Sequence, residues 1–148
     1  MGLLQAMSAT ASGLAAQRVR MDTISGNVAN IDTTHTPNGS GPYLRHVVSL
    51  ASADTAPPFS NVVAKFTGQS STGVVMTSVG IDNTTPVKTE YDPSNPDAGA
   101  DGYVKLPNID LVSEMTDLTS ANRSYQANAT VLNAEKQMAL KALDIGAR

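Results

Sequence analysis

Residues 108–146 read NIDLVSEMTDLTSANRSYQANATVLNAEKQMALKALDIG, and this stretch decides the fold. It contains no proline, and apolar residues recur in it every seven positions, which is typical of one long helix with a narrow apolar seam. Two rows carry the repeat: Leu111, Leu118, Tyr125, Leu132 and Ala139 form the first, and Met115, Asn122, Ala129, Lys136 and Leu143 form the second. At about 1.5 Å per residue the helix would be roughly 55 Å long. A chain this small cannot bury such a seam alone, so the seam needs a partner.

The ends of this helix can be predicted from individual residues. Asn108 or Asp110 can accept hydrogen bonds from the free amides of the first turn. Gly146 is the expected stop, because glycine readily adopts the left-handed conformation that closes a helix.

The beginning of the chain carries a matching repeat over residues 3–30. Gly13 and Gly26 each cost about 1 kcal/mol relative to alanine, so this helix should be weak when alone. Its apolar positions are Met7, Leu14, Met21 and Val28, with Leu3, Ile24 and Ile31 in a second row. Periodicity alone leaves two arrangements open: a helical hairpin within one chain, or a coiled coil shared among several subunits.

Short extended segments lie between the two helices. The clearest strand candidate is 75–81, where Val75, Thr77, Val79 and Ile81 alternate with Met76, Ser78 and Gly80. Further candidates are 43–50, 62–66, 87–91 and an extended lead at 102–107. The sequence therefore predicts an α+β fold in three segments: 1–33 with the first helix, 34–107 with a small β-containing part, and 108–148 with the last helix.

Composition argues against several functions. The net charge is −3, and no basic patch marks a nucleic-acid surface. Cysteine is absent, so disulfides and thiolate metal sites are excluded. No stretch approaches the roughly 18 apolar residues of a membrane span. The first residues lack the pattern of a Sec signal, so any export is expected to follow another route.

No motif for catalysis or cofactor binding is present. His35 and His46 are the only histidines, and neither belongs to a cluster with metal-ligand spacing. Asp92, Asp97 and Asp101 flank a proline-rich turn, and their spacing is not that of a calcium loop. Phosphate-binding loops and nucleophile elbows are also missing. We therefore predict no metal, no cofactor and no enzymatic activity.

The end of the first helix carries a recognisable motif. Ser25, Asn27, Ala29, Asn30 and Thr33 match an Asn/Ala-rich signature of a known family. Other parts of that family's sequence pattern are matched by residues 14–22, 41–48, 91–110, 114–115, 123–128, 136, 138 and 141–143. In these residues the chain resembles the bacterial flagellar rod and hook proteins. Within that family it is most similar to the proximal-rod type.

The resemblance implies a structural role. The terminal helices would pair and pack with those of neighbours into an inner coiled-coil layer, with the β-containing part facing outward. The assembly would be a hollow drive shaft in the basal body that crosses the periplasm, transmits torque and is exported by the flagellar type III apparatus. Expected partners are copies of the chain, other rod proteins, the surrounding membrane rings and the export apparatus.

Specific residues are expected to carry this assembly. We expect the helical ends to be largely unstructured before assembly, because fixing them costs about 1–2 kcal/mol per residue in backbone entropy. Polar Asn122, Asn128 and Lys136 would set the register, and Asn27, Asn30 and Thr33 would bond backbone at the helix end. The predicted interface consists of Met7, Leu14, Met21, Ile24, Val28, Leu111, Met115, Leu118, Tyr125, Leu132, Ala139 and Leu143.

Three alternatives remain at this point. The first is another rod or hook-type axial protein, although the short middle segment favours the proximal type. The second is a monomeric binding module built on a helical hairpin, which would be strongly helical in dilute solution. The third is an enzyme that uses the turn around Asp97, which would bind a cation or turn over a substrate.

Overall fold

The computed structural model describes residues 2–37, 41–53 and 73–146. Two long helices flank a small middle of antiparallel strands, so the predicted α+β organisation is confirmed. In chain order the elements are α1 (Leu3–Ala29), β1 (His46–Ser52), β2 (Val74–Ile81), β3 (Lys88–Tyr91), β4 (Tyr103–Leu106) and α2 (Leu111–Gly146). None of the helices in the described part of the chain is both long and apolar enough to cross a membrane.

The two helices form an antiparallel pair. Three hydrogen bonds show the direction: Thr10 to Glu135 (3.2 Å), Arg20 to Asp117 (3.4 Å) and Asn27 to Glu114 (3.1 Å). As the residue number on α1 rises, the number of the residue it bonds on α2 falls, so the helices run in opposite directions. The hairpin arrangement predicted from periodicity is therefore present within one chain.

The two helices of the chain meet along residues that lie beside the predicted apolar rows. On α2 the buried positions are Glu114, Ala121 and Glu135, with half-buried Asn128 completing the seven-residue row. This row lies one residue before the predicted second row, whose Met115 is 50% exposed. Small and polar residues therefore make the closest contact within the chain, and the predicted apolar rows stay a prediction for contacts with neighbouring subunits.

Gly13 shows why small residues occupy the seam. A Cβ atom at Gly13 would lie 3.0 Å from the Asn128 side-chain nitrogen. Ala16 and Ala121 are also buried between the elements, at 5% and 0% exposure. The helices therefore approach closely, and larger side chains lie along the edges of the seam.

The strands form two separate two-stranded sheets. β1 pairs with β2 from His46–Ile81 to Ser52–Val74, with an irregularity between Ser49 and Leu50. β3 pairs with β4 from Lys88–Leu106 to Tyr91–Tyr103. The candidates at 75–81, 87–91 and 102–107 are thus confirmed within one residue at each end, whereas 62–66 lies outside the described residues.

The first strand begins three residues later than the predicted 43–50. The Tyr43 amide donates to the Thr33 carbonyl at 3.0 Å, and the Arg45 amide donates to Asn108 Oδ1 at 2.8 Å. These backbone groups therefore bond outside the sheet, and strand pairing starts at His46.

Asp110 caps the N-terminus of α2. Its Oδ2 accepts the Ser113 amide at 3.1 Å, and its carbonyl accepts the Glu114 amide at 3.0 Å. Hydrogen bonds from the Ser113 side chain and amide, with a smaller contribution from the charge of Lys88, lower the pKa of Asp110. Of the two predicted caps Asp110 is the correct one, since the Asn108 side chain bonds elsewhere. The described part of the helix extends to Gly146.

Candidate assembly interface

The motif residue Asn27 joins α1 to β1. Its Oδ1 accepts the His46 amide at 2.9 Å, and its Nδ2 donates to the His46 carbonyl at 2.9 Å. The side-chain amide therefore pairs with His46 as a neighbouring strand would. Nδ2 also donates to Glu114 Oε2 at 3.1 Å, and Asn27 is only 1% exposed. One side chain thus connects three elements.

Glu114 is a buried carboxylate with a complete set of partners. It is 1% exposed, and its Oε1 accepts the Arg45 Nε hydrogen at 2.6 Å. Arg45 also lies 3.5 Å from Asp117, which accepts a hydrogen bond from Arg20 at 3.4 Å. A buried charge is tolerated when it is paired and hydrogen-bonded, and both conditions hold here. We call Asn27, Arg45 and Glu114 the polar network.

Tyr43 borders the polar network. Its hydroxyl donates to Asn27 Oδ1 at 3.5 Å, and its ring lies 5.0 Å from the His46 ring. Burial, and to a smaller extent the negative charge of Glu114, raises the pKa of Tyr43. The phenol therefore stays protonated beside the carboxylate.

The rest of the motif follows the end of α1. Asn30 Nδ2 donates to the Gly26 carbonyl at 2.8 Å, and Thr33 Oγ1 donates to Asn30 Oδ1 at 3.2 Å. Asn27 and Asn30 thus bond backbone, whereas Thr33 bonds a side chain. Ser25 and Ala29 are exposed.

Asn108 links the two sheets. Its Oδ1 accepts a hydrogen bond from the Arg45 amide, and its Nδ2 donates to the carbonyl oxygens of Asp82 (2.9 Å) and Thr85 (3.1 Å). It is 4% exposed, so these bonds are shielded from water. Asp82 itself accepts hydrogen bonds from Thr84 and Thr85, which lower its pKa.

The predicted interface residues gather on one side of the helix pair. On α1, Leu14, Met21 and Val28 each follow a residue that contacts α2 (Gly13, Arg20 and Asn27), and Met7 continues this row one heptad earlier. The α2 row from Met115 to Leu143 follows Glu114 to Glu135 in the same way. In an antiparallel pair the corresponding edges of the two helices lie on the same side. We call this side the apolar face.

The strands lie on the opposite side. Gly73 approaches the backbone of Ala9, and the Val74 amide donates to Ser12 Oγ at 3.0 Å. Ser12 precedes Gly13, and Ala9 precedes Thr10, whose hydroxyl donates to Glu135, so both lie on the other edge of α1. The apolar face is therefore not covered by the described strands.

Exposure divides the predicted interface residues into three groups. Leu143, Met115, Leu111 and Tyr125 are 70%, 50%, 46% and 36% exposed. Met7, Leu14, Met21, Val28, Leu118, Leu132 and Ala139 are half-buried. Ile24 is 5% exposed and packs within the chain, so it supports the face without presenting a surface.

The predicted register residues are not placed together. Asn128 lies in the seam beside Gly13. Asn122 and Lys136 are exposed, and Asn122 accepts a hydrogen bond from Gln126 at 3.0 Å. Their role in register stays a prediction.

A second row of exposed apolar residues on α2 was not predicted from the sequence. Val131, Met138 and Ile145 are 47%, 55% and 78% exposed and are spaced by seven residues on the other edge of α2. The spacing was visible in the sequence, but the more continuous row from Leu111 to Ala139 concealed it.

The described residues show no arrangement suited to metal chemistry. No group of three or more potential ligands occurs among them. A cleft of about 290 Å³ lies where β1 meets the helices, and it is lined by the polar network together with apolar residues. Its charged groups already pair with one another.

Comparison with known proteins identifies the class. Residues 6–34 match the family model described as "Flagella basal body rod protein", and residues 100–145 match "Flagellar basal body rod FlgEFG protein C-terminal". The first matched region covers most of α1 and the second covers most of α2, so the chain is a flagellar rod-type protein.

Full-length relatives narrow the class further. The chain is 43% identical over 152 residues to the flagellar basal-body rod protein FlgC of Bacillus subtilis, with 99% of both chains covered. It is 42% identical to FlgC of Borreliella burgdorferi (98% of both chains) and 43% identical to FlgC of Salmonella typhimurium (99% of both). The chain belongs to the FlgC family of flagellar basal-body rod proteins, and it is a structural subunit of that rod.

Proposed function

We propose that the chain polymerises through its terminal helices into the hollow proximal part of the rod, which transmits torque across the periplasm. It acts by assembly and not by catalysis. The observation that carries this proposal is the apolar face, which runs along both helices and is left uncovered by the described strands.

The energetics of the face support a contact with neighbouring subunits. Met115 and Leu143 are half or more exposed, and each apolar Å² removed from water contributes about 25 cal/mol. Few residues form a core within the chain: Ala16, Ile24, Val104, Pro107, Ile109 and Ala121 are its buried apolar residues among those described. Neighbours would therefore supply much of the apolar burial that stabilises the helices.

The geometry of contact suits an open array. A contact between two different surfaces repeats without closing when the rotation between subunits does not return to the start, and the result is a helical filament. The partners in this proposal are copies of the chain and other rod proteins, with the membrane rings and the export apparatus as further contacts. Export by the type III route without a Sec signal completes the proposal, because helices that gain full order on assembly can travel unfolded.

The test places a charge on the apolar face. Met115→Glu should abolish rod assembly and motility when it replaces the wild-type chain in a flagellated bacterium, because the carboxylate would be buried against a neighbour. The purified variant should keep the circular dichroism of the wild-type chain, since Met115 is half exposed in the free subunit.

Thr130→Glu is the matched control. Thr130 is exposed on α2 and lies beyond both edges of the seam. The Thr130→Glu variant should therefore leave rod assembly intact. Normal rods with Met115→Glu, or equal loss with both variants, would show that the apolar face does not carry the assembly. A monomeric binding module would tolerate both changes.

A further inference from the structure

Two tyrosine rings are left exposed at the end of the β3–β4 hairpin. Tyr91 and Tyr103 are directly opposite each other in the strand register, and their ring centroids lie 5.3 Å apart with an angle of 63° between the planes. They are 65% and 53% exposed, although they are half of the four tyrosines of a chain without tryptophan. Exposed apolar surface that is gathered in one place is typical of a binding site. We call these two residues the tyrosine platform.

The turn before β4 holds the Tyr91 ring in place. Gly102 has a φ of +75°, which favours glycine, and a Cβ atom there would lie 2.9 Å from Cε2 of Tyr91. Its amide donates to the Gly99 carbonyl at 2.9 Å, and its carbonyl accepts the Asp92 amide at 3.1 Å. The ring thus packs on a backbone that is fixed by hydrogen bonds. A platform that is formed in advance loses less conformational entropy when a ligand binds.

A polar cleft adjoins the platform and shares Tyr103 with it. Its volume is about 300 Å³, at the lower end of the range for small-molecule sites. The Thr34 hydroxyl donates to Asp97 Oδ2 at 2.6 Å, which orients the carboxylate. Among the ion pairs of the described residues, none includes Asp97 or Lys105, so both charges are available to a ligand. We call this the Lys105 cleft, and its lining side chains are Thr34, His35, Pro42, Asp97, Tyr103 and Lys105.

The chemistry of this surface suits a sugar ring better than other small ligands. A pyranose has a face of C–H groups, which packs on an aromatic ring, and a rim of hydroxyl groups. Each hydroxyl both donates and accepts hydrogen bonds, so its site needs both kinds of partner. Asp97 accepts and Lys105 donates, and the two line one cleft beside an exposed ring. A phosphate would be repelled by Asp97, and an apolar ligand would cover both charges without replacing their water.

We propose that the tyrosine platform and the Lys105 cleft bind a pyranose oligosaccharide. One sugar ring packs on the platform, and hydroxyl groups of this ring or the next one bond Asp97 and Lys105. These residues lie outside the apolar face, so the inference does not rest on the proposed assembly of the rod.

The test is a titration of the isotope-labelled full-length chain, followed by two-dimensional NMR of the backbone amides. One arm uses chitotriose, an amino-sugar trisaccharide, and the other uses maltotriose, a neutral one. At least one of these sugars should give saturable shift changes at the amides of Gly99, Gly102, Tyr103 and Lys105, and the difference in affinity assigns the class of sugar. No saturable change with either sugar would overturn the proposal, and so would changes confined to α1 and α2.

Substitutions separate the stacking on the rings from the polar contacts. Tyr91→Ala and Tyr103→Ala should each weaken binding about tenfold, whereas Tyr91→Phe keeps the ring and should bind within about twofold of the wild-type chain. Gly102→Ala should weaken binding as well, since its Cβ would displace the Tyr91 ring. Lys105→Met leaves both rings in place and should weaken binding about fivefold through the loss of a hydrogen bond.

Ile81→Ala is the matched control. Ile81 is 53% exposed on β2, in the other sheet, and its truncation should leave the affinity for the sugar unchanged. Amide signals of β1 at their wild-type positions would show that each variant is folded. Wild-type affinity in Tyr91→Ala, Tyr103→Ala and Lys105→Met, or an equal loss with Ile81→Ala, would contradict the proposal. Saturable binding of a proline-rich peptide at the platform, with neither sugar bound, would assign the site to a protein partner and overturn the sugar assignment.

Discussion

The two halves of the helix pair bury the same chemical group in different ways. Glu114 and Glu135 lie three heptads apart in one row of α2, and both are buried. Glu114 receives hydrogen bonds from Asn27 and Arg45, whereas Glu135 receives one from the Thr10 hydroxyl. Arg45 immediately precedes β1. The difference teaches that the two helices alone do not neutralise the charges buried between them. The positive charge that pairs with Glu114 comes from Arg45, in the strand region.

The largest expected effect comes from breaking the polar network around Glu114. Asn27→Ala would leave the His46 backbone amide and carbonyl without their partner and would remove one donor from Glu114. We expect the free energy of unfolding to fall by about 3 kcal/mol. Urea denaturation followed by far-UV circular dichroism measures this change.

Asn122→Ala is the control, because Asn122 is exposed and its side chain accepts a hydrogen bond from Gln126 in the next turn. It should change stability by no more than about 0.5 kcal/mol. A similarly small loss with Asn27→Ala would mean that the polar network does not distinguish the two halves.

The two helix glycines sharpen the comparison with a smaller effect. A Cβ atom at Gly26, next to Asn27 of the polar network, would meet nothing within 4 Å. Gly26→Ala should therefore stabilise the chain by about 1 kcal/mol through helix propensity. Gly13→Ala should gain less, because its Cβ would press on Asn128 at 3.0 Å.

The double variant Gly13→Ala with Asn128→Ala separates the two causes. Removing the Asn128 side chain should allow the Gly13 substitution to deliver its full gain, which a double-mutant cycle in urea would reveal. Equal gains at Gly13 and Gly26 in the single variants would contradict the close contact in the seam.

The smallest expected effect is a pH dependence at the cap of α2. The pKa of Asp110 is lowered by its hydrogen bonds from Ser113, so its ionised form favours the folded chain. This stabilisation is fully present above the usual Asp pKa and is lost as the pH falls through the lowered value.

Asp110→Ala should therefore unfold at less urea than the wild-type chain at pH 7. The difference should shrink once the pH falls below the lowered pKa, because the other carboxylates titrate in both proteins. A gap between the two urea midpoints that stays constant on acidification would exclude this contribution.

The sequence predicted the elements better than their contacts. Seven-residue spacing identified both helices, and alternation identified β2, because these signals are local. Hydrophobic periodicity selected the row from Met115 to Leu143, since burying large apolar side chains contributes most free energy. The closest contact instead uses Gly13, Ala121 and polar residues, which such a search passes over.

The polar network could not be predicted for a different reason. Arg45 and Glu114 are separated by 69 positions, and Asn27 and Glu114 by 87. Nothing local marks a pair of charges that far apart. The motif drew attention to Asn27 as a residue that bonds backbone at the helix end, but its partners became visible only once α1, β1 and α2 were placed together.

The small residues of the seam also set a dimension. Helix axes lie about 8–10 Å apart depending on the side chains between them, and contacts through Gly13 and Ala121 favour the lower end of that range. In the proposed tube, a helix pair stacked from the channel outward would form the wall, and its thickness would then depend on this distance. At a fixed outer diameter, each ångström saved in the wall widens the bore, and the cross-section open to passing cargo grows with the square of its radius.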